Sequence, residues 1–136
     1  MVRPRRGAAR QQSRGFDVTR YYLGVDGGGT NCRIRLADDK LVTLGEGRGG
    51  PSNLQIQNGD PAYRSILEGA KAAFAAAGLG EADYGKAYGC FCMAGGRSVV
   101  DRDAFQRRPW PFAAVRVYDD IDAAQPGALG GEEGAV

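Results

Sequence analysis

The segment "YYLGVDGGGTNCRIRLAD", residues 21–38, contains an apolar run that ends in Asp26, three consecutive glycines and Thr30 before an alternating run begins. Two strands joined by a turn are predicted, yet an ordinary hairpin turn needs only two residues such as Asn-Gly. Successive N–H groups without side chains form a concavity that binds anions, and Thr30 adds a hydroxyl. Asp26 would repel a phosphate unless a divalent cation lay between them. The pattern therefore favours a magnesium–nucleotide site over a plain flexible glycine turn.

The rest of the chain predicts an α/β domain in the order βββαβαβα, with a mixed five-stranded sheet covered by helices. Alternating and apolar runs predict the strands, and 3.6-residue periodicity, Pro61 and Gly78 predict the longest helix. The predicted strands are 21–26, 31–37, 40–47, 86–96 and 113–120, and the predicted helices are 61–80, 99–107 and a segment from 121 that Pro126 interrupts.

Composition limits the classes of protein. The chain has 136 residues, of which 43% are hydrophobic and 25% charged, so it can bury the core of one domain. Its longest apolar runs fall short of the roughly 20 residues that span a membrane, and no membrane partner is expected. The formal net charge of the chain is +2, and residues 1–20 alone carry +5. Residues 21–136 therefore carry −3, and no nucleic-acid partner is expected.

Residues 1–20 have no apolar segment typical of a secretory signal and are interpreted as a disordered basic extension. An organelle presequence or a nucleic-acid-binding arm is the less favoured alternative. Cys32, Cys90 and Cys92 form no CxxC pair, and we interpret them as buried, reduced residues of a cytoplasmic protein rather than metal ligands.

The chain contains no histidine, so any acid–base chemistry must use carboxylates. The strand "VRVY" delivers Asp119 and Asp120 at its carboxyl end, where open α/β sheets place ligands. The alternative is that one aspartate caps the next helix and the others are solvated. "GEGRGG", residues 45–50, matches GxGxxG, but Pro51 follows and no helix begins there, so we reject a dinucleotide site.

Four motifs carry a resemblance to a known family. In sequence order they are "GVDGGGTNCRIRLAD", "GEGRGGPSNL", "CFCMAGG" and "VRVYDDIDAAQPGALGGEEGAV". Over residues 21–136 the chain resembles the BadF/BadG/BcrA/BcrD-type ATPases of the actin, Hsp70 and sugar-kinase superfamily. Among these it is most similar to bacterial glucosamine and N-acetylglucosamine kinases. The resemblance implies an actin-like ATPase, ribonuclease H-like fold, with ATP and Mg²⁺ as cofactors and an amino sugar as substrate.

The resemblance also implies roles for individual residues. Asp26 would hold magnesium indirectly, Asn53 would contact the sugar, and Asp120 would be the base on the sugar hydroxyl. The phosphate cradle would consist of Gly27, Gly28, Gly29 and Thr30. Asn31 departs from many relatives and receives no role.

Relatives continue into a second glycine loop and an adenosine-binding domain, so residues 21–136 resemble an N-terminal subdomain. We expect such a subdomain to be inactive alone and to self-associate, for example as a homodimer, through the apolar surface near Met93 and Ala124. One rival hypothesis is an ATPase that activates an iron–sulfur dehydratase or reductase, although Cys90 and Cys92 on one strand suit a shared cluster poorly. Another is a non-catalytic sugar-binding or regulatory module.

Overall fold

The computed structural model describes residues 20–120. The predicted mixed five-stranded sheet with helices is confirmed. Its strands are β1 Tyr21–Gly27, β2 Cys32–Ala37, β3 Thr43–Gly49, β4 Ala87–Met93 and β5 Ala114–Asp119, and its helices are α1 Asp60–Ala76 and α2 Val99–Gln106. The basic extension before Arg20, the helix predicted from 121 and Ala124 lie outside the described residues. Met93, which was predicted to lie near the same exposed apolar surface, is itself fully buried.

The strand order in the sheet is β3-β2-β1-β4-β5. The pairs β1–β2 and β2–β3 are antiparallel, whereas β4 runs parallel to both β1 and β5. Gly27, Met93 and Asp119 are in register across the three parallel strands. The carboxyl ends of β1, β4 and β5 therefore share one edge of the sheet, which brings the sequence motifs after these strands together.

Helix α1 covers one face of this sheet because both elements are amphipathic in their own period. In β1, Leu23 and Val25 are buried on that face. The side of α1 that faces the sheet contributes Ile66, Ala70 and Phe74, which are almost fully buried. Proline in the first turn suits the start of α1, as predicted. No helix among residues 20–120 has both the length and the apolar character needed to cross a bilayer.

An aromatic cluster anchors α2 to the same face. Trp110 packs edge-on against Phe91 of β4 and Phe105 of α2, with ring centroids 5.0 and 5.3 Å apart. Its indole N–H donates to the Phe105 carbonyl at 3.1 Å. The Ser98 hydroxyl caps α2 by accepting from the Asp101 N–H. The short helix predicted over 99–107 is thus confirmed, and α2 begins directly after the loop that follows β4.

The predicted bounds of β3 were wrong. Residues 40–42 belong to a tight turn in which the Asp38 carboxylate accepts from the N–H groups of Lys40 and Val42, and Leu41 adopts φ 65°. The strand therefore begins at Thr43 and continues to Gly49. The sequence interpretation ended this strand at Gly47 and placed the rest of "GEGRGG" in the connection, whereas the strand includes Arg48 and Gly49.

Candidate active site

Three loops meet at the carboxyl edge of the sheet. They are residues 28–31 between β1 and β2, 50–56 after β3, and 94–98 after β4. The Ala94 N–H donates to the Gly27 carbonyl at 2.7 Å, and the Leu54 N–H donates to the Ala94 carbonyl at 3.0 Å. The buried Ser52 donates from its N–H and its hydroxyl to the Gly28 carbonyl, at 3.2 and 2.7 Å. These bonds hold the glycine loop and the predicted sugar-binding segment against each other.

The three consecutive glycines have different structural surroundings. A Cβ on Gly27 would lie 2.7 Å from the Sδ and Cε atoms of Met93, so the flexible end of that side chain would have to move to admit it. The Gly28 N–H donates to the Asn31 carbonyl at 2.9 Å and closes the hairpin. A Cβ on Gly29 would meet nothing within 4 Å. Positive φ values occur at other described glycines but not at these three, so neither packing nor backbone conformation explains Gly29.

Asp26 and Asp120 lie on the face of the sheet opposite α1. Alternation in β1 buries Val25 and leaves Asp26 exposed on the other side. Alternation in β5 buries Val117 and Asp119, and it turns the exposed Asp120 towards the face that carries Asp26. Both carboxylates line one broad trough across the sheet. The structure therefore brings together two of the residues that the sequence singled out.

Asp119 has a different environment from its neighbour. Its side chain is only 9% exposed, and its carboxylate lies 3.8 Å from the guanidinium of Arg97, which is 77% exposed. Arg97 belongs to the loop after β4, so the ion pair connects that loop to the end of β5. Asp119 and Asp120 thus project to opposite faces of the sheet. In the sequence, only the alternation of side chains along the strand indicates this difference.

Asn53 is half-buried in the loop after β3. Its Oδ1 accepts from the N–H of Gln55 at 2.8 Å. Gly95, with φ 79°, lies against it so closely that a Cβ there would overlap the Asn53 carboxamide. The small-residue "AGG" segment and the Asn53 loop are therefore in contact, whereas Asn53 and Asp120 are placed by different loops of the same edge.

Sequence reasoning missed two residues that build this site, Ser52 and Gln55. Ser52 lies within the quoted "GEGRGGPSNL" motif, and only that position could have indicated it, because its burial and its bond to the Gly28 carbonyl depend on a segment 24 residues earlier. Gln55 carries no comparable signal, because its side-chain partners Gly95 and Asp101 are 40 and 46 residues away.

The three cysteines are free thiols. Cys32 and Cys92 are buried, as predicted, and Cys90 is half-buried. A hydrogen bond to Cys90 and burial raise the pKa of Cys92, and the same bond lowers the pKa of Cys90. Burial raises the pKa of Cys32. Within residues 20–120, no three or more Cys, Asp or Glu side chains are grouped so as to hold a metal by themselves.

Comparison with known proteins gives two informative similarities, while no family model matches the chain. The chain is 33% identical over 116 residues to the glucosamine kinase of Vibrio cholerae serotype O1, which covers 85% of this chain and 39% of that protein. A crystal structure from Chromobacterium violaceum, described as that of an N-acetylglucosamine kinase, is 30% identical with a TM-score of 0.73. That match covers 85% of this chain and 40% of the solved chain.

The sheet order, the covering helices and the structural match define the actin-like ATPase fold of the sugar kinases. Within that class the chain is similar to glucosamine and N-acetylglucosamine kinases and corresponds to an N-terminal partial domain. It spans about two fifths of the length of the relatives that it matches.

Proposed function

We propose that this chain forms the N-terminal part of an ATP-dependent amino-sugar kinase that acts on glucosamine or N-acetylglucosamine. The observation that carries the proposal is the placement of Asp26 and Asp120 on one face of one sheet edge, beside the glycine loop. Phosphoryl transfer needs little covalent chemistry from protein; it needs a positioned hydroxyl, a base, and stabilisation of the charged phosphates. The similarity to two amino-sugar kinases supports the choice of substrate.

The glycine loop and Asp26 fit a magnesium nucleotide. Mg²⁺ prefers oxygen ligands and is commonly bound through one or two carboxylates together with substrate phosphates and water. Asp26 supplies an exposed carboxylate, and the open space above Gly29 admits a phosphate close to the backbone. The exposed Thr30 adds a hydroxyl at the rim of the loop. When bound, Mg·ATP supplies the transferred phosphoryl group and neutralises part of its charge.

The acceptor sugar requires a base and a group that orients it. Asp120 is the candidate base, because it is exposed in the trough with Asp26. Asp119 suits this role less well, since its carboxylate is buried and paired with Arg97 on the opposite face. Asn53 is the candidate sugar contact, held at the same edge by its own loop.

Ligand binding by the ¹⁵N-labelled 136-residue chain tests the assignment. We expect Mg·ATP to shift the amide resonances of Gly29 and Thr30, and glucosamine to shift those of Asn53 and Asp120. Both affinities should be weak, in the millimolar range, since the chain spans only part of its relatives. Shifts confined to other regions, or no shifts with either ligand at saturating millimolar concentration, would contradict the proposal.

Asp26→Asn should weaken magnesium use. For activity measurements we define a chimera in which this chain replaces the matching segment of the Vibrio cholerae glucosamine kinase. Because Asp26 is proposed to hold Mg²⁺ indirectly, its loss should raise the Mg²⁺ concentration for half-maximal rate about tenfold or more. Asp39→Asn is the matched control, since it removes the same charge at an exposed turn at the opposite edge of the sheet. An unchanged Mg²⁺ dependence in the Asp26 variant would refute the role.

A further inference from the structure

The geometry points to Gln55 as a positioning residue that fixes the carboxamide of Asn53, so that its Nδ2 hydrogens face an acceptor oxygen of the sugar. This inference rests on the proposed sugar contact at Asn53 and specifies how that contact is made. Gln55 is exposed, so packing does not hold its side chain in place. Its hydrogen bonds are the observation that indicates a role.

The backbone N–H and the side-chain amide of Gln55 donate hydrogen bonds to different partners. Its N–H donates to Asn53 Oδ1 at 2.8 Å. Its Nε2 donates to the Gly95 carbonyl at 2.7 Å and to the Asp101 carboxylate at 2.8 Å. Two acceptors therefore engage Nε2, and one of them is ionised, which makes that bond the stronger. The side chain connects the Asn53 loop to the loop after β4 and to the first turn of α2.

These contacts determine which end of the Asn53 carboxamide is available to a ligand. Oδ1 already accepts from Gln55, whereas no residue among 20–120 accepts from Nδ2. A carboxamide held in this way presents a donor, which matches a hydroxyl or carbonyl oxygen of a sugar. Gly95 supports the same orientation, because its backbone lies directly against the Asn53 side chain and leaves no room for a Cβ.

The second partner, Asp101, provides a rigid reference for the loop. Its N–H donates to the cap hydroxyl of Ser98, so the residue belongs to an ordered helix start. Without the Gln55 side chain, the Asn53 loop would still be attached through the Leu54 and Ser52 backbone bonds. We therefore expect its loss to loosen the Asn53 side chain without unfolding the domain.

Substitution of Gln55 by Glu tests this role in the ¹⁵N-labelled 136-residue chain. The variant loses both Nε2 donors and places a carboxylate against that of Asp101. We expect the order parameter of the Asn53 Nδ2 group to fall from above about 0.8 to below about 0.6. The affinity for glucosamine should fall about three- to tenfold, as for the loss of one oriented hydrogen bond.

Two further variants separate positioning from general destabilisation. Gln57→Glu introduces the same charge two residues further along the loop and should leave both readouts as in the parent. The double variant Gln55→Glu/Asp101→Asn exchanges acceptor and donor between the two side chains. It restores the bond between positions 55 and 101 but not the bond to the Gly95 carbonyl, so it should recover part of the order at Asn53. A loss that does not depend on the bond between positions 55 and 101 would not be recovered by that exchange.

The outcomes distinguish this inference from the proposed function. If Gln55→Glu leaves the Asn53 order parameter or the glucosamine affinity at the parent value, the positioning role is overturned. It is likewise overturned if the double variant shows no recovery. If Asn53→Ala binds glucosamine as the parent does, the sugar contact assigned to Asn53 is wrong, while the order parameter still decides whether Gln55 fixes that side chain.

Discussion

Asp120→Asn is expected to reduce kcat of the chimera by a factor on the order of 10² to 10⁴, the usual cost of removing a general base. The reason is that an asparagine keeps the size of the side chain but cannot take the proton of the sugar hydroxyl. Asp120 lies in the trough that also contains Asp26, so it can face a hydroxyl placed beside the proposed metal-bound phosphate. The measurement is glucosamine-dependent ADP release, normalised to folded enzyme.

Asp119→Asn is the control for this experiment because it makes the same change one residue earlier. It leaves the Arg97 guanidinium without the carboxylate 3.8 Å away, so some stability should be lost, but the proposed base is untouched and most activity should remain. Asp122→Asn, outside the described residues, should also retain most activity. If Asp119→Asn is inactive and Asp120→Asn active, the base has been assigned to the wrong aspartate.

Sequence alone predicted the order of the elements between residues 20 and 120 because each strong signal was local. Period-2 alternation around Val25 and Val117, and 3.6-residue spacing through Ile66 and Phe74, are fixed by residues that are close in the chain. A rule about open α/β sheets placed Asp119 and Asp120 at a carboxyl strand end where ligands bind, but it did not decide which of the two shares a face with Asp26. The order of the strands in the sheet, which the local signals do not contain, was needed to decide this.

Contacts between distant segments were beyond the reach of the sequence. Ser52 is fully buried only because the glycine loop, 24 residues earlier, supplies the carbonyl that accepts its hydroxyl. The three glycines of the loop look equivalent in sequence, yet a Cβ at 27 would displace the end of the Met93 side chain, whereas a Cβ at 29 would meet nothing within 4 Å. Such differences depend on which side chains arrive from β4, and no local pattern records this.

The "GEGRGG" segment is a second example of contacts between distant segments that the sequence did not predict. Sequence context argued against a dinucleotide loop, but it gave no reason for glycines at alternate positions. In the structure Gly45, Gly47 and Gly49 all face α1, and a Cβ on each would overlap the carbonyl oxygens of Ala73, Gly69 and Ser65 in turn. These helix positions are four residues apart, so one ridge of α1 lies directly on the backbone of β3.

Gly47→Ala is therefore expected to destabilise the domain by about 3 kcal/mol or more, which is at or above the usual upper range for overpacking. A Cβ at 47 would overlap the Gly69 carbonyl and lie 2.8 Å from the Ala73 nitrogen, both of which belong to the helix backbone. A side chain could rotate away, but these atoms move only if α1 moves. That movement would open the contact between α1 and β3 along its length. Urea unfolding of the 136-residue chain measures the loss.

Gly24→Ala is the matched control, because it adds the same methyl group to a strand glycine. A Cβ at 24 meets no atom within 4 Å, and alanine restricts the unfolded chain more than glycine does, so stability should stay within about 0.5 kcal/mol or rise slightly.

A second comparison identifies which atoms exclude a Cβ at position 47. Ala72→Gly removes the Cβ that would lie 3.1 Å from the new methyl group, but it leaves the helix backbone in place. It should therefore not restore the Gly47→Ala variant, and it should cost about 1 kcal/mol more through helix propensity. Recovery on adding Ala72→Gly would mean that a side chain, rather than the backbone of α1, sets the limit at position 47.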